Sequence, residues 1–263
     1  MNARTICLVQ SRFASTRLPG KALFDLHGRP LLWHVVTRCQ QASTVNRVIV
    51  ATGRDKSNDP IVDLCQREGW DVFRGPDDDV LARFAAAIRL YEPDVVVRVS
   101  GDSPLIDPDV IDRVVRARAN RGYRYASNVH PPTWPDGLDV EAISALMLLH
   151  VDKVATRPSD REHVTPWLTR NLLPHQWINV AHAVDLSGYR LCIDTEADYH
   201  VIREVMRIAG ALCTWDQAIR VLDAYPKIRA LNAHIARNEG YAQSLAKEQN
   251  DDERLGKPSI HVQ

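Results

Sequence analysis

The sequence predicts an α/β protein built on a doubly wound, mostly parallel sheet with helices on both faces. Three observations predict it. Short apolar runs alternate with longer amphipathic stretches as far as residue 121. The run VVVRV at 95–99 is rich in β-branched residues, as a strand buried on both faces should be. A chain of 263 residues, 25% of them charged, suits one compact domain of this class.

The elements follow in order. TICLV at 5–9 reads as a buried strand. Leu31, Leu32, Val35, Val36 and Cys39 recur at helical spacing and predict a helix over 30–41. RVIVA at 47–51 is the next strand, and Ile61, Val62, Leu64 and Cys65 give a helix over 59–68. A short strand at 71–73 precedes a helix over 79–91 carried by Val80, Leu81, Phe84, Ala85 and Ile88. After the 95–99 strand, Asp107 before Pro108 starts a helix over 108–121. Beyond Arg124 the pattern loosens, with Pro131, Pro132 and Pro135 as breaks. GLDVE at 137–141 and LCI at 191–193 predict short strands, and 196–209 and 214–223 predict helices. The organisation expected is one domain over 1–237, with an inserted segment at about 128–190. A polar tail over 238–263 reads as a frayed helix or disordered chain.

Lys plus Arg number 33 and Asp plus Glu number 33, so the net charge is zero. That gives no global reason to expect nucleic acid or a membrane surface as partner, and an anionic ligand must be met by a local cluster of cations. The five cysteines form no Cys-x-x-Cys pair, which fits a reducing cytoplasm better than a disulfide framework. The ten histidines show no zinc-site spacing, and no run is long enough to span a membrane.

Ligands of doubly wound sheets bind outside the carboxyl ends of the strands. The loop after the first strand, residues 10–21, carries Arg12, Arg17 and Lys21 among Ser15, Thr16 and Gly20. Small residues let backbone N–H groups approach an anion while the cations neutralise a polyphosphate; the competing reading is a basic surface loop. After the third long strand, Ser100-Gly101-Asp102 places a carboxylate where Mg²⁺ could bridge phosphate oxygens. Asp107 reads instead as a helix cap. Asp194 ends the LCI run as Asp102 ends VVVRV, and the two can share one metal; Thr195, Glu196 and Asp198 read as capping the helix that follows. Asp77, Asp78 and Asp79 offer a metal site, but three acids at a helix N-terminus are also stabilised there without any ligand. Arg161-Glu162-His163 contains an acid/base pair that opens a surface helix or faces the cleft.

Together these residues resemble the cytidylyltransferase superfamily of 3-deoxy-manno-octulosonate and acylneuraminate cytidylyltransferases, and within it the spore-coat polysaccharide biosynthesis protein F branch. The resemblance runs through 11–21 (SRFASTRLPGK), 28–34 (GRPLLWH), the strand end Val50-Ala51-Thr52, and Gly101-Asp102 with Pro104-Leu105-Ile106. Branch-like features are Phe73-Arg74-Gly75, 79–84 (DVLARF), 137–141 (GLDVE), 161–166 (REHVTP) and Asp194-Thr195. It implies a Rossmann-like, nucleotide-diphospho-sugar-transferase-like fold and transfer of CMP from CTP. Arg12, Ser15, Thr16, Arg17 and Lys21 would hold the phosphates. Thr52, Arg74, Arg83 and Ser100 would lie at the nucleotide, and Asp102 and Asp194 would hold Mg²⁺ (or Mn²⁺). Arg12, Lys21 and Asp102 carry the catalytic expectation. Asp139, Glu141, Arg161 and His163 are the candidates to hold a small anionic acceptor: an acidic sugar, a phosphonate or a sugar phosphate. The resemblance also implies a homodimer formed through the inserted segment. The alternatives at this point are a nucleotide-sugar-dependent glycosyltransferase, which has no need of a triphosphate loop, and a non-catalytic nucleotide-binding protein.

Overall fold

The computed structural model describes residues 3–15 and 17–254. The strands are β1 (Thr5–Gln10), β2 (Asp25–Leu26), β3 (Arg29–Pro30), β4 (Arg47–Gly53), β5 (Asp71–Gly75), β6 (Val95–Ser100), β7 (Tyr125–Ser127), β8 (Glu141–Ser144) and β9 (Trp177–Asn179). The helices of the first half are α1 (Leu31–Gln40), α2 (Asp59–Glu68), α3 (Val80–Tyr91) and α4 (Pro108–Asn120). Those of the second half are α5 (Ala145–Val154), α6 (Pro158–His163), α7 (Pro166–Asn171), α8 (Glu196–Ala209), α9 (Trp215–Ala224), α10 (Pro226–Arg229) and α11 (Glu239–Arg254).

Seven strands form one sheet in the order β5-β4-β1-β6-β8-β7-β9. The first four are mutually parallel, β8 runs antiparallel to β6 and β7, and β9 returns parallel to β7. The expected doubly wound sheet is therefore present. Its strands are apolar without alternation because both faces are covered. Cys7, Val9, Val50, Val97 and Val99 pack on one side with α1, α2 and α4. Ile6, Leu8, Ile49, Ala51 and Val96 pack on the other with α3 and α5.

The chain leaves β1 toward β4 and β5, then returns to β6 on β1's other side. That reversal opens a crevice at the carboxyl ends of β1 and β6, where ligands of such sheets sit. Gly101 closes its floor: its N–H donates to the Gln10 carbonyl at 2.8 Å, and a Cβ there would lie 2.8 Å from that oxygen.

Two expected strands do not form. Residues 137–140 precede β8 without a ladder, and 191–193 belong to no strand. They pack on each other instead. Leu191 N–H donates to the Asp136 carbonyl, and Gly137, at φ +100°, brings its α-carbon so close that a Cβ would meet Leu191 and Cys192 backbone at 2.7 Å. No larger residue fits that crossing. Asp107 caps α4 by accepting from Asp109 and Val110 N–H, and Thr195 and Asp198 form a reciprocal capping box on α8, as the sequence indicated. Residues 239–254 form a helix, α11, that reaches over the crevice.

Candidate active site

A cavity of about 510 Å³ opens at the β1/β6 crevice. The loop after β1 brings Arg12, Ser15, Arg17 and Lys21 to it, and the turn after β6 brings Ser100 and Asp102. Asp194 arrives from the chain that leads into α8. Lys21 is the pivot. Its ammonium donates to Asp102 Oδ2 at 3.0 Å, Asp194 Oδ1 at 2.6 Å and the Ile193 carbonyl at 2.8 Å. Burial alone would lower the Lys21 pKa, but Asp102 and Asp194 outweigh it and the net shift is upward. Burial likewise pushes Asp194 up, yet Lys21, Arg17 and Arg190 together hold it at about 2. Both groups are therefore charged at neutral pH.

Arg190 fixes Asp194 from behind. The buried guanidinium donates from Nη1 to Asp136 at 2.6 Å, from Nε to Asp198 at 2.8 Å and from Nη2 to Asp194 at 3.2 Å. Asn232 donates to the second side of this hub, at Asp198 Oδ1. Asp198 also accepts from the Asp194 and Thr195 N–H groups, so the capping box and the site share one carboxylate.

The inner wall is charged and internally paired. Arg98 donates to Glu141 at 2.5 Å, and Tyr125 donates to the same carboxylate. Arg237 donates to Asp139, whose pKa burial pushes up to about 7 against the pull of Arg237. On the outer side, His163 sits within 3.0 Å of Ser244 Oγ and edge-on to Tyr241; burial lowers its pKa to about 4, so the ring is neutral at pH 7.

Asp139, Glu141 and His163 thus line the cavity together with the loop after β1. Thr16 lies outside the described residues. Four expected residues do not line the cavity. Thr52 is buried inside β4. Arg74 is consumed by the turn after β4, donating to the carbonyls of Gly53, Arg54 and Asp55 and to Asp59. Arg83 is buried beneath Gly75 and donates to the carbonyls of Pro76 and Asp77. Arg161 is bound to Asp79 at 2.6 Å, to Asp152 at 2.8 Å and to the Asp152 and Ala155 carbonyls. It stitches α6 to α3 and α5, with four of its five N–H donors spent inside the fold. Arg161→Ala is accordingly expected to lower stability by about 1–3 kcal/mol, the range for lost charged hydrogen bonds, in urea unfolding. Its acceptor and CTP kinetics should stay within about twofold of wild type. A selective rise in the acceptor KM with unchanged stability would restore the acceptor role.

The residues that sequence reasoning missed are three arginines, Arg98, Arg190 and Arg237, with the acids Asp136 and Glu239. Arg98 carried a signal, a charge inside an apolar strand. Arg190 carried a weaker one, a charge directly before an apolar run that ends in Asp194.

A crevice at the switch point of a doubly wound sheet, lined by three loop cations and two convergent carboxylates, defines a nucleotide-binding α/β enzyme of the nucleotidyl-transfer kind. The chain belongs to the cytidylyltransferase family, whose family model matches residues 6–233. It is 32% identical over 211 residues to the spore coat polysaccharide biosynthesis protein SpsF of Bacillus subtilis, covering 77% of this chain and 86% of that one. A solved cytidylyltransferase from Leptospira borgpetersenii matches with a TM-score of 0.83 at 28% identity, over 89% of this chain and 100% of that one. The structure of CMP:2-keto-3-deoxy-manno-octonic acid synthetase complexed with CTP shares the fold, with a TM-score of 0.60 at 19% identity over 78% of this chain and 99% of that one. The class expected from the opening loop and the Gly101-Asp102 turn is therefore the class found, and the glycosyltransferase and non-catalytic alternatives fall away.

Proposed function

We propose that this enzyme transfers CMP from CTP to a small anionic acceptor, an acidic sugar, a phosphonate or a sugar phosphate, with release of pyrophosphate. The observation that carries the reading is Lys21, a loop cation held between two carboxylates from separate loops at the switch point. A triphosphate entering the crevice meets Arg12, Arg17 and Lys21 together, and the attack of an acceptor oxygen on the α-phosphorus then needs positioning and charge neutralisation more than covalent help.

The donor set suits a hard divalent cation. Asp102 and Asp194 converge on one nitrogen, and Asp194 stays ionised well into the acid range. Among the described residues no cluster of three acidic, His or Cys ligands occurs, so phosphate and water oxygens would complete the shell. When bound, Mg²⁺ (or Mn²⁺) there would neutralise charge on the phosphates. Ser15 and Ser100 are assigned to the nucleotide, and Asp139, Glu141 and His163 to the acceptor. The similarity to SpsF supports a place in surface polysaccharide biosynthesis. A homodimer through segment 128–190 and a cytoplasmic location complete the reading. The test is pyrophosphate release with each of the four NTPs and Mg²⁺ against 3-deoxy-manno-octulosonate, N-acetylneuraminate, 2-aminoethylphosphonate and glucose 1-phosphate. The expected result is release that requires CTP, the metal and one of these acceptors. Release with UTP in preference, or at full rate in EDTA, would overturn it.

A further inference from the structure

Helix α11 lies beyond residue 233, where the family match ends, yet it forms one wall of the cavity. Its first residue, Glu239, accepts from Arg17 Nη1 at 2.9 Å while Arg17 Nη2 lies 3.0 Å from Asp194. The second loop arginine, Arg12, is paired at 3.6 Å with Glu162 of α6. The two acids belong to one unit. Ser244 of α11 donates to Glu162 at 2.9 Å and contacts His163, and Ser159 of α6 donates to Glu248 of α11 at 2.5 Å. Each arginine of the phosphate loop therefore carries a carboxylate where an anionic ligand would bind.

The attachment is polar and shallow. No residue from 239 to 251 is fully buried, so α11 has no apolar anchor in the core. The side chains of both ion pairs are 29–41% exposed, the setting in which such pairs are individually weak. A helix held this way detaches at little cost compared with the core elements. A triphosphate, with more charge than a carboxylate and oxygens for both guanidinium forks, has the stronger claim on Arg12 and Arg17.

We propose that Glu162 and Glu239 are phosphate surrogates on the nucleotide loop, and that CTP binds by displacing them and releasing α11 from the cavity mouth. This rests on the reading that Arg12 and Arg17 hold the triphosphate. It makes α11 a latch that couples nucleotide entry to opening of the wall nearest His163. It also makes the two acids competitors of the phosphates, not of the base.

The test is calorimetric titration with CTP and with cytidine of wild type, Glu239→Gln, Glu162→Gln and the double variant. Hydrogen exchange of residues 239–254 is followed with each ligand. CTP affinity is expected to rise roughly threefold to tenfold in the double variant, the scale of two exposed ion pairs, with cytidine affinity unchanged. Exchange in α11 should speed up with CTP and not with cytidine. A folded double variant that binds CTP no more tightly than wild type overturns the latch, as does slower α11 exchange with CTP. Arg17→Ala separates the two readings. If it leaves CTP affinity intact, the phosphate-loop assignment itself falls; if it weakens CTP while Glu239→Gln changes nothing, only the latch falls.

Discussion

Lys21→Ala is expected to lower CTP-dependent pyrophosphate release by about 100-fold or more, equivalent to roughly 3 kcal/mol of lost stabilisation. The size follows from the position of the ammonium. It is mostly buried, touches both carboxylates of the proposed metal pair and stands in the loop proposed to meet the triphosphate. Its removal leaves Asp102 and Asp194 facing each other across the crevice, so phosphate oxygens meet net repulsion where they met a cation. The fold should survive, because Lys21 begins a short turn and contributes nothing to the core beneath it. A second signature is pH-dependent. The folded Asp194 pKa, about 2, lies below its ordinary value of 3.8. A depressed carboxylate pKa stabilises the fold above the unfolded value, and that contribution disappears as pH falls through the folded one. Lys21→Ala should therefore lose stability above about pH 4 and converge with wild type toward pH 2. Turnover within threefold of wild type, with an unaltered circular dichroism spectrum, would place the phosphate cradle elsewhere.

What the sequence disclosed follows from how much each element depends on local pattern. The strands at 5–9, 47–51 and 95–99 stood out because both sheet faces are buried, which leaves uninterrupted apolar runs. The segment from 124 to 190 did not, because β7 and β9 have three residues each and α6 and α7 six, fewer than two periods of either pattern, and because the apolar residues of α5 run together at 145–149 without a helical period. GLDVE resembled a strand by composition, but tertiary contact of Gly137 with the 191–192 backbone holds it as a loop until Glu141. The site residues divide in the same way. Arg12 and Asp102 sit in loops just past the ends of β1 and β6, where topology leaves a side chain little choice but the crevice; Lys21 lies further along the first loop, and Asp194 follows an apolar run that packs beside the crevice without forming a strand. Arg74, Arg83 and Arg161 sit in equally suggestive motifs, yet each guanidinium is spent on backbone carbonyls, and one-dimensional spacing does not separate a ligand-binding fork from a loop-tying one. Glu239, and the pairing of Glu162 with Arg12, were hidden for another reason: the partners lie 150 residues or more apart in the chain.

The Arg190 hub carries the largest expected effect on stability. Three carboxylates, Asp136, Asp194 and Asp198, meet one buried guanidinium, and Asp198 is fully buried. Deleting the arginine strands these charges in a medium that solvates them poorly, a situation that costs about 3–5 kcal/mol when one partner of a buried pair is removed. Arg190→Met, which keeps much of the volume, is therefore expected to lose about that much in urea unfolding. Turnover should fall with it, because Asp194 loses the hydrogen bond that holds it toward Lys21 and Asp102. The two losses have separable causes. Adding Asp198→Asn to Arg190→Met removes the most deeply stranded charge and should recover about 1–2 kcal/mol of stability, since a neutral amide is cheaper to bury than an unpaired carboxylate. It should not restore turnover, because Asp194 remains without its buried support. If Arg190→Met unfolds within 1 kcal/mol of wild type, the hub is not what holds the 190–198 segment. If the double variant regains turnover, Asp194 is positioned by Lys21 and Arg17 without Arg190's help.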